Sequence, residues 1–162
     1  MIKVPPHVQI EEIPLDVRYR RVLRGLLTRI KTLYDAIYER FGEEGLDLIR
    51  DVSTRYGQDI AQRALRGEPH WDIQTVGIFL VKVFNNMRSE GEVTEFTEER
   101  VAIMVPQCPY PFEDPRICAA HTAMERALVQ GLNPSLEYGI EASIPGGDGH
   151  CLHVLKHADA LE

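Results

Sequence analysis

The hydrophobic period of this chain changes once, near residue 90, and that change limits the fold more than any single motif does. Before it, apolar residues recur every three or four positions. Leu23, Leu26, Leu27, Ile30, Leu33, Tyr34, Ile37 and Phe41 make one stripe of a helix from Asp16 to Phe41, and Gly42 stops it. A second stripe runs through Leu46, Ile49, Val52, Tyr56, Ile60 and Ala64 and closes near Gly67. A third segment, from about Trp71 to Met87, contains VGIFLVKVF, which is apolar nearly all round. Its length and the NNMRSEG breaker that follows favour a buried helix over a strand.

After residue 90 the period shortens. GEVTEFTEERVAIMVPQC reads as two short strands around a turn near Thr97–Glu99. DPRICAAHTAMERALVQGL returns to helix, with Asp114 as N-cap, Pro115 in the first turn and Gly131 as the stop. SLEYGIEASI alternates like a strand, PGGDG turns, and HCLHVLKH forms the last strand. The expected fold is therefore α+β: N-terminal helices packed on a four-stranded antiparallel sheet, with strand–strand–helix–strand–strand order in the C-terminal half. Residues 1–162 read as one domain, with a helical part (1–90) and a sheet-plus-helix part (91–158). The two parts share a core, because the apolar segment 76–84 must bury itself against something.

Composition narrows the function classes. Hydrophobic residues make up 44% and charged residues 27% of the 162, a globular balance. No stretch reaches the apolar length of a bilayer span, and MIKVPPHVQIEEIPLD lacks the apolar segment of a signal peptide. Three cysteines then suggest a cytoplasmic setting with free or metal-bound thiols. The net charge of −7 is uneven: residues 1–66 carry 12 Lys/Arg against 10 Asp/Glu, and residues 67–162 carry 6 against 15. That balance argues against nucleic acid as a partner. Arg18, Arg20, Arg21, Arg24 and Arg29 form a local basic stripe, read as a solvated helix face or as a contact for an anion or a partner. The first helix is long enough to extend past the core, so a homodimer through it is expected.

Chemistry concentrates around CPYPFEDPRICAAH and GGDGHCLHV. Cys118 and His121 are three apart on a helix and share a face, which Glu125 continues. Cys151 and His153 are two apart on a strand and share a side of the sheet, while His150 points away. Cys108 stands at the mouth of the loop before the helix. Three readings fit this set. Cys108, Cys118 and Cys151 could ligate zinc together with an imidazole. Cys118, near a helix N-terminus, could be a nucleophile activated by His121 or His153, with Glu125 or Asp148 orienting the base. The cysteines could also be small buried residues on core faces. GGDG reads as a hairpin turn, and Trp71, Tyr34, Tyr38, Phe79 and Phe84 read as core.

Residues 107–155 resemble the L-2-amino-thiazoline-4-carboxylic acid hydrolase-like proteins. The pattern is Cys108-Pro109 after a strand, Cys118 opening a helix, a GLNPSLEY step into a strand, and Gly147, Asp148 and Cys151 in a Gly-Asp-x-x-Cys ending. More distantly the chain looks like the 4-vinyl reductase small-molecule-binding domain. The resemblance implies an antiparallel α+β domain, a pocket between sheet and helices, and one site for Cys108, Cys118 and Cys151.

The resulting expectation is a small-molecule-binding domain with a Cys/His pocket, hydrolysing a C–N bond of a cyclic amidine or thiazoline-like ligand. Cys118 would act as nucleophile or metal ligand and His121 as general base. Asp148 would orient a partner or serve its turn alone. Cys108, Cys151, His153 and Glu125 would line the ligand. The alternative is a non-catalytic metal- or ligand-sensing accessory module built on the three cysteines.

Overall fold

The structure, a computed structural model, describes residues 12–67 and 70–158. The stretch 1–11, part of the segment read above for its missing signal sequence, lies outside the described residues. Three helices come first: α1 (Leu15–Phe41), α2 (Glu43–Ala64) and α3 (Ile73–Asn86). Then follow β1 (Glu92–Phe96), β2 (Arg100–Val105), α4 (Pro115–His121), α5 (Ala123–Leu132), β3 (Leu136–Ala142) and β4 (Cys151–His157). The four strands form one antiparallel sheet in the order β1-β2-β4-β3, so the last strand is inserted beside the second. The α+β class, with helices first and the sheet after, is the one the change of period indicates.

Local chemistry accounts for the boundaries. Asp72 caps α3 by accepting the Thr75 N–H at 2.7 Å, and Asp114 caps α4 by accepting the Arg116 N–H at 2.8 Å. Thr97 Oγ1 accepts the Arg100 N–H at 2.9 Å and closes the β1–β2 turn. The single helix expected over 114–131 is broken at Thr122, which ends α4 and opens α5. Thr122 keeps helical backbone angles, and hydrogen bonds from Thr122 N–H to Cys118 and from Arg126 N–H to Thr122 cross the joint. His121 and Glu125, four apart, therefore remain neighbours on one face.

The helix faces differ from the apolar stripes. On α1 only Leu27 is buried, while Leu26 and Leu33 are each more than half exposed. On α2, Val52 and Tyr56 face outward, and Ile49, Ser53, Gly57 and Ala61 form the inner row. The reason is distance. The backbones of α2 and α5 approach so closely that a Cβ on Gly57 would sit 2.1 Å from the Met124 carbonyl oxygen. A row of small residues permits that approach and large ones forbid it. On α3, Ile73, Val76, Gly77 and Leu80 are buried but Ile78 is not, so the helix buries one face rather than its whole circumference. Arg18, Arg20, Arg21, Arg24 and Arg29 are all exposed on α1, where Arg20 pairs with Asp16 at 3.0 Å.

Two apolar cores result. The larger joins α3 and α5 to one face of the sheet through residues such as Val76, Leu80, Val101, Leu128, Leu136 and Leu155. The smaller joins α1, α2 and α4 through Leu46, Ile49, Phe112 and Ile117, with Tyr34 and Tyr110 packed against it. Between them lies a cavity.

Candidate ligand cavity

The register of the central strand sets one wall of this cavity. Val105 pairs with Cys151 and Ile103 with His153, so Cys151 and His153 emerge on the sheet face that carries the larger core. Opposite them, α4 presents Cys118 and His121, and α5 presents Glu125. Cys108, three residues past the end of β2, closes a third side. Six of the residues singled out from sequence thus line one cavity of about 180 Å³. Asp148 does not. It is exposed, and its Oδ2 accepts the Ser143 N–H at 2.7 Å, which holds the turn before β4.

Apart from Ser89 and Thr122, the rest of the lining is apolar or aromatic, with Phe84, Met87, Tyr110, Phe112 and Met124 prominent. Around the His121 ring, Tyr110, Phe112 and Tyr34 stand with ring centres at 4.3, 5.1 and 5.8 Å. A second hollow, about 370 Å³, runs between α1 and α2 and shares the side chains of Tyr56, Met87, Tyr110, His121 and Met124 with the first. An apolar path therefore leads from the cysteines to the outer faces of α1 and α2. Sequence reading missed Tyr110 and Phe112, although the CPYPF stretch places two aromatic rings beside the first cysteine.

Burial governs the protonation states. It depresses His121 and His153 from 6.5 to about 4, so both rings are neutral at physiological pH. It raises Glu125 from 4.5 to about 7 and Cys118 from 9.0 to about 11. The Cys108 and Cys151 thiols act on each other. That interaction and burial push Cys108 well up, and the same interaction, with the Ile144 N–H donating to its Sγ at 3.5 Å, draws Cys151 down. The Tyr138 hydroxyl lies 2.6 Å from His153 Nδ1. Among the described residues, three polar atoms of the wall find no hydrogen-bond partner: both ring nitrogens of His121 and Glu125 Oε2.

Fold and site together define a cavity domain of the α+β class, with helices closing over one face of an antiparallel sheet. No family model matches the chain, and no curated protein matches it. Among solved structures, the fold is similar to that of a trafficking protein particle complex subunit 3 from Naegleria fowleri covalently bound to palmitic acid. The TM-score is 0.63 at 10% identity, over 88% of this chain and 99% of that one. At that identity the likeness is one of fold.

These findings correct the expected C–N hydrolase and its metal-sensing alternative. The fold is similar to that of a trafficking protein particle complex subunit, and among the described residues no three His, Cys, Asp or Glu side chains are grouped to hold a metal ion. Cys108, Cys118 and Cys151 share a cavity without forming such a group. Burial raises the Cys118 thiol, and among the described residues neither ring nitrogen of His121 has a hydrogen-bond partner. Among the described residues no helix is long and apolar enough to cross a membrane.

Proposed function

We propose that this chain is a non-catalytic module that shelters the apolar chain of a lipid-like molecule and joins a protein partner through its first helix. The observation that carries this reading is the cavity: a mostly apolar space of about 180 Å³ that adjoins a second apolar hollow. An engineered cavity of about 150 Å³ lined by aliphatic and aromatic groups stays dry and takes up benzene. The inner cavity is thus sized for one ring or a short chain, and a longer chain continues into the hollow between α1 and α2. The similar solved structure is described as covalently bound to palmitic acid and as a subunit of a complex, which supports both halves of the reading. Three free cysteines suit a reducing cytoplasm. The resemblance of residues 107–155 to the thiazoline hydrolase-like proteins stands as a proposal of kinship, with no activity attached.

The test is titration of delipidated protein with straight-chain ligands of increasing length by calorimetry. Affinity rises roughly fourfold per methylene, at about 0.8 kcal/mol each, until the path is full, and Met124→Trp at the junction of the two hollows shortens the longest chain accepted. Affinity that is independent of chain length refutes the reading.

The partner half rests on α1, where Leu15, Tyr19, Val22, Leu26 and Leu33 are exposed at spacings of four, three, four and seven. That is the seam of a two-helix coiled coil. A second copy of the chain is the proposed occupant, and light scattering of Leu33→Glu tests it. Halved mass with retained helicity is expected, and unchanged mass refutes this interface.

A further inference from the structure

The cavity contains two polar side chains that an apolar chain alone would leave unsatisfied. His121 and Glu125 are each 7% exposed, and among the described residues both ring nitrogens of the one and Oε2 of the other have no partner. They stand four residues apart across the α4–α5 joint and line the same cavity. Resting on the reading of an apolar-ligand cavity, we propose that its preferred ligand carries a neutral hydroxyl on an apolar body and that this hydroxyl docks on Glu125 Oε2 and the His121 ring.

Each alternative head group meets this pair badly. A hydrocarbon leaves both groups desolvated and unpaired, a cost the folded protein already bears and binding would not relieve. A carboxylate head would bring a second acid into a buried site already holding Glu125, and Tyr110, Tyr138 and Cys118 around it are hydroxyls and a thiol rather than cations. A protonated amine would bury an ion pair beneath an aromatic wall. A hydroxyl donates one hydrogen bond and accepts others, so it can meet a carboxyl oxygen and an imidazole nitrogen without adding charge. Among the described residues, no hydrogen bond to either ring nitrogen of His121 or to Glu125 Oε2 explains the burial of these atoms. Their neighbours Ala123, Leu128 and Val129 show that this stretch of helix accepts apolar residues readily.

The experiment compares hexan-1-ol, 1-fluorohexane and hexanoate, matched in chain length, by calorimetry on the wild-type protein and on Glu125→Leu and Glu125→Gln. Hexan-1-ol is expected to bind on the order of tenfold more tightly than either of the others, as one buried hydrogen bond warrants. Glu125→Leu should melt higher than wild type without ligand and lose that preference. Glu125→Gln, which keeps an acceptor, should retain most of it. Equal binding of all three ligands, tightest binding of hexanoate, or an alcohol preference that survives in Glu125→Leu overturns the inference while leaving the apolar-ligand reading intact. Failure of all three to bind the wild type refutes that reading, and this inference with it.

Discussion

Two glycine-to-alanine substitutions in exposed and buried helix should move stability in opposite directions. Gly25 lies in α1 with nothing within 4 Å of the position a Cβ would take. Alanine there gains the helix-propensity difference, about 0.5–1 kcal/mol. Gly57 lies in α2 against α5, where a Cβ would stand 2.1 Å from the Met124 carbonyl oxygen, 3.0 Å from its carbon and 3.1 Å from the Leu128 nitrogen. All three are backbone atoms, so no rotamer change relieves the contact. The helices must separate by about 1 Å to restore van der Waals spacing. Overpacking of this kind costs about 1–3 kcal/mol, and the contact at 2.1 Å places Gly57→Ala at the upper end. Set against the same propensity gain, the net loss is about 2 kcal/mol, and the two variants differ by about 3 kcal/mol. Urea unfolding followed by far-ultraviolet circular dichroism measures both, with unchanged slopes required for comparison. A higher midpoint for Gly57→Ala, or equal shifts for the two, would refute the close approach of α2 and α5 on which the cavity wall depends.

Further expectations concern the titratable wall and the start of α4. His121 and His153 bind fewer protons folded than unfolded between pH 4 and 6.5, so stability should rise with pH across that window. Glu125 acts oppositely: its folded pKa of about 7 lies above its ordinary 4.5, so its contribution is full below pH 4.5 and lost as pH rises through 7. Relative to wild type, Glu125→Gln should therefore gain about 3 kcal/mol between pH 4 and pH 8, and denaturant midpoints across that range that run parallel for the two proteins would contradict the burial of this carboxyl. Asp114→Ala removes the cap of α4 and should cost about 1 kcal/mol by thermal unfolding; no loss would mean that Pro115 alone sets the helix start.

Much of the fold was legible because periodicity reports which side of an element is apolar, and Asp114, Pro115 and the turn at Thr97 mark ends by local chemistry. The inner face of α2 was hidden for the converse reason. Ser53, Gly57 and Ala61 carry little hydropathy, and what places them inside is the closeness of another backbone, which no pattern in α2 records. The break at Thr122 was equally silent, since its hydrogen bonds continue across the joint. At the site, spacing along a helix and a strand was enough to bring Cys118, His121, Glu125, Cys151 and His153 to one cavity. Their chemistry was not legible there. A thiolate, an imidazole base or a ligand set depends on burial and on distances between elements, and burial leaves Cys118 a thiol and His121 neutral and unbonded.

The position of the cavity between two cores bears on cooperativity. α2 spans both, giving Leu46 and Ile49 to the smaller and Ala61 to the larger, and elsewhere the two cores face each other across the hollow. An occupant of that hollow touches Phe112 and Cys118 on one side and Val105 and Cys151 on the other, and so becomes a shared part of both. Binding then does more than add its own free energy. With the proposed ligand bound, the two cores should open together, and amides of α1 and α4 are expected to exchange more slowly than without it. A ligand held this way would act as a keystone shared by both cores.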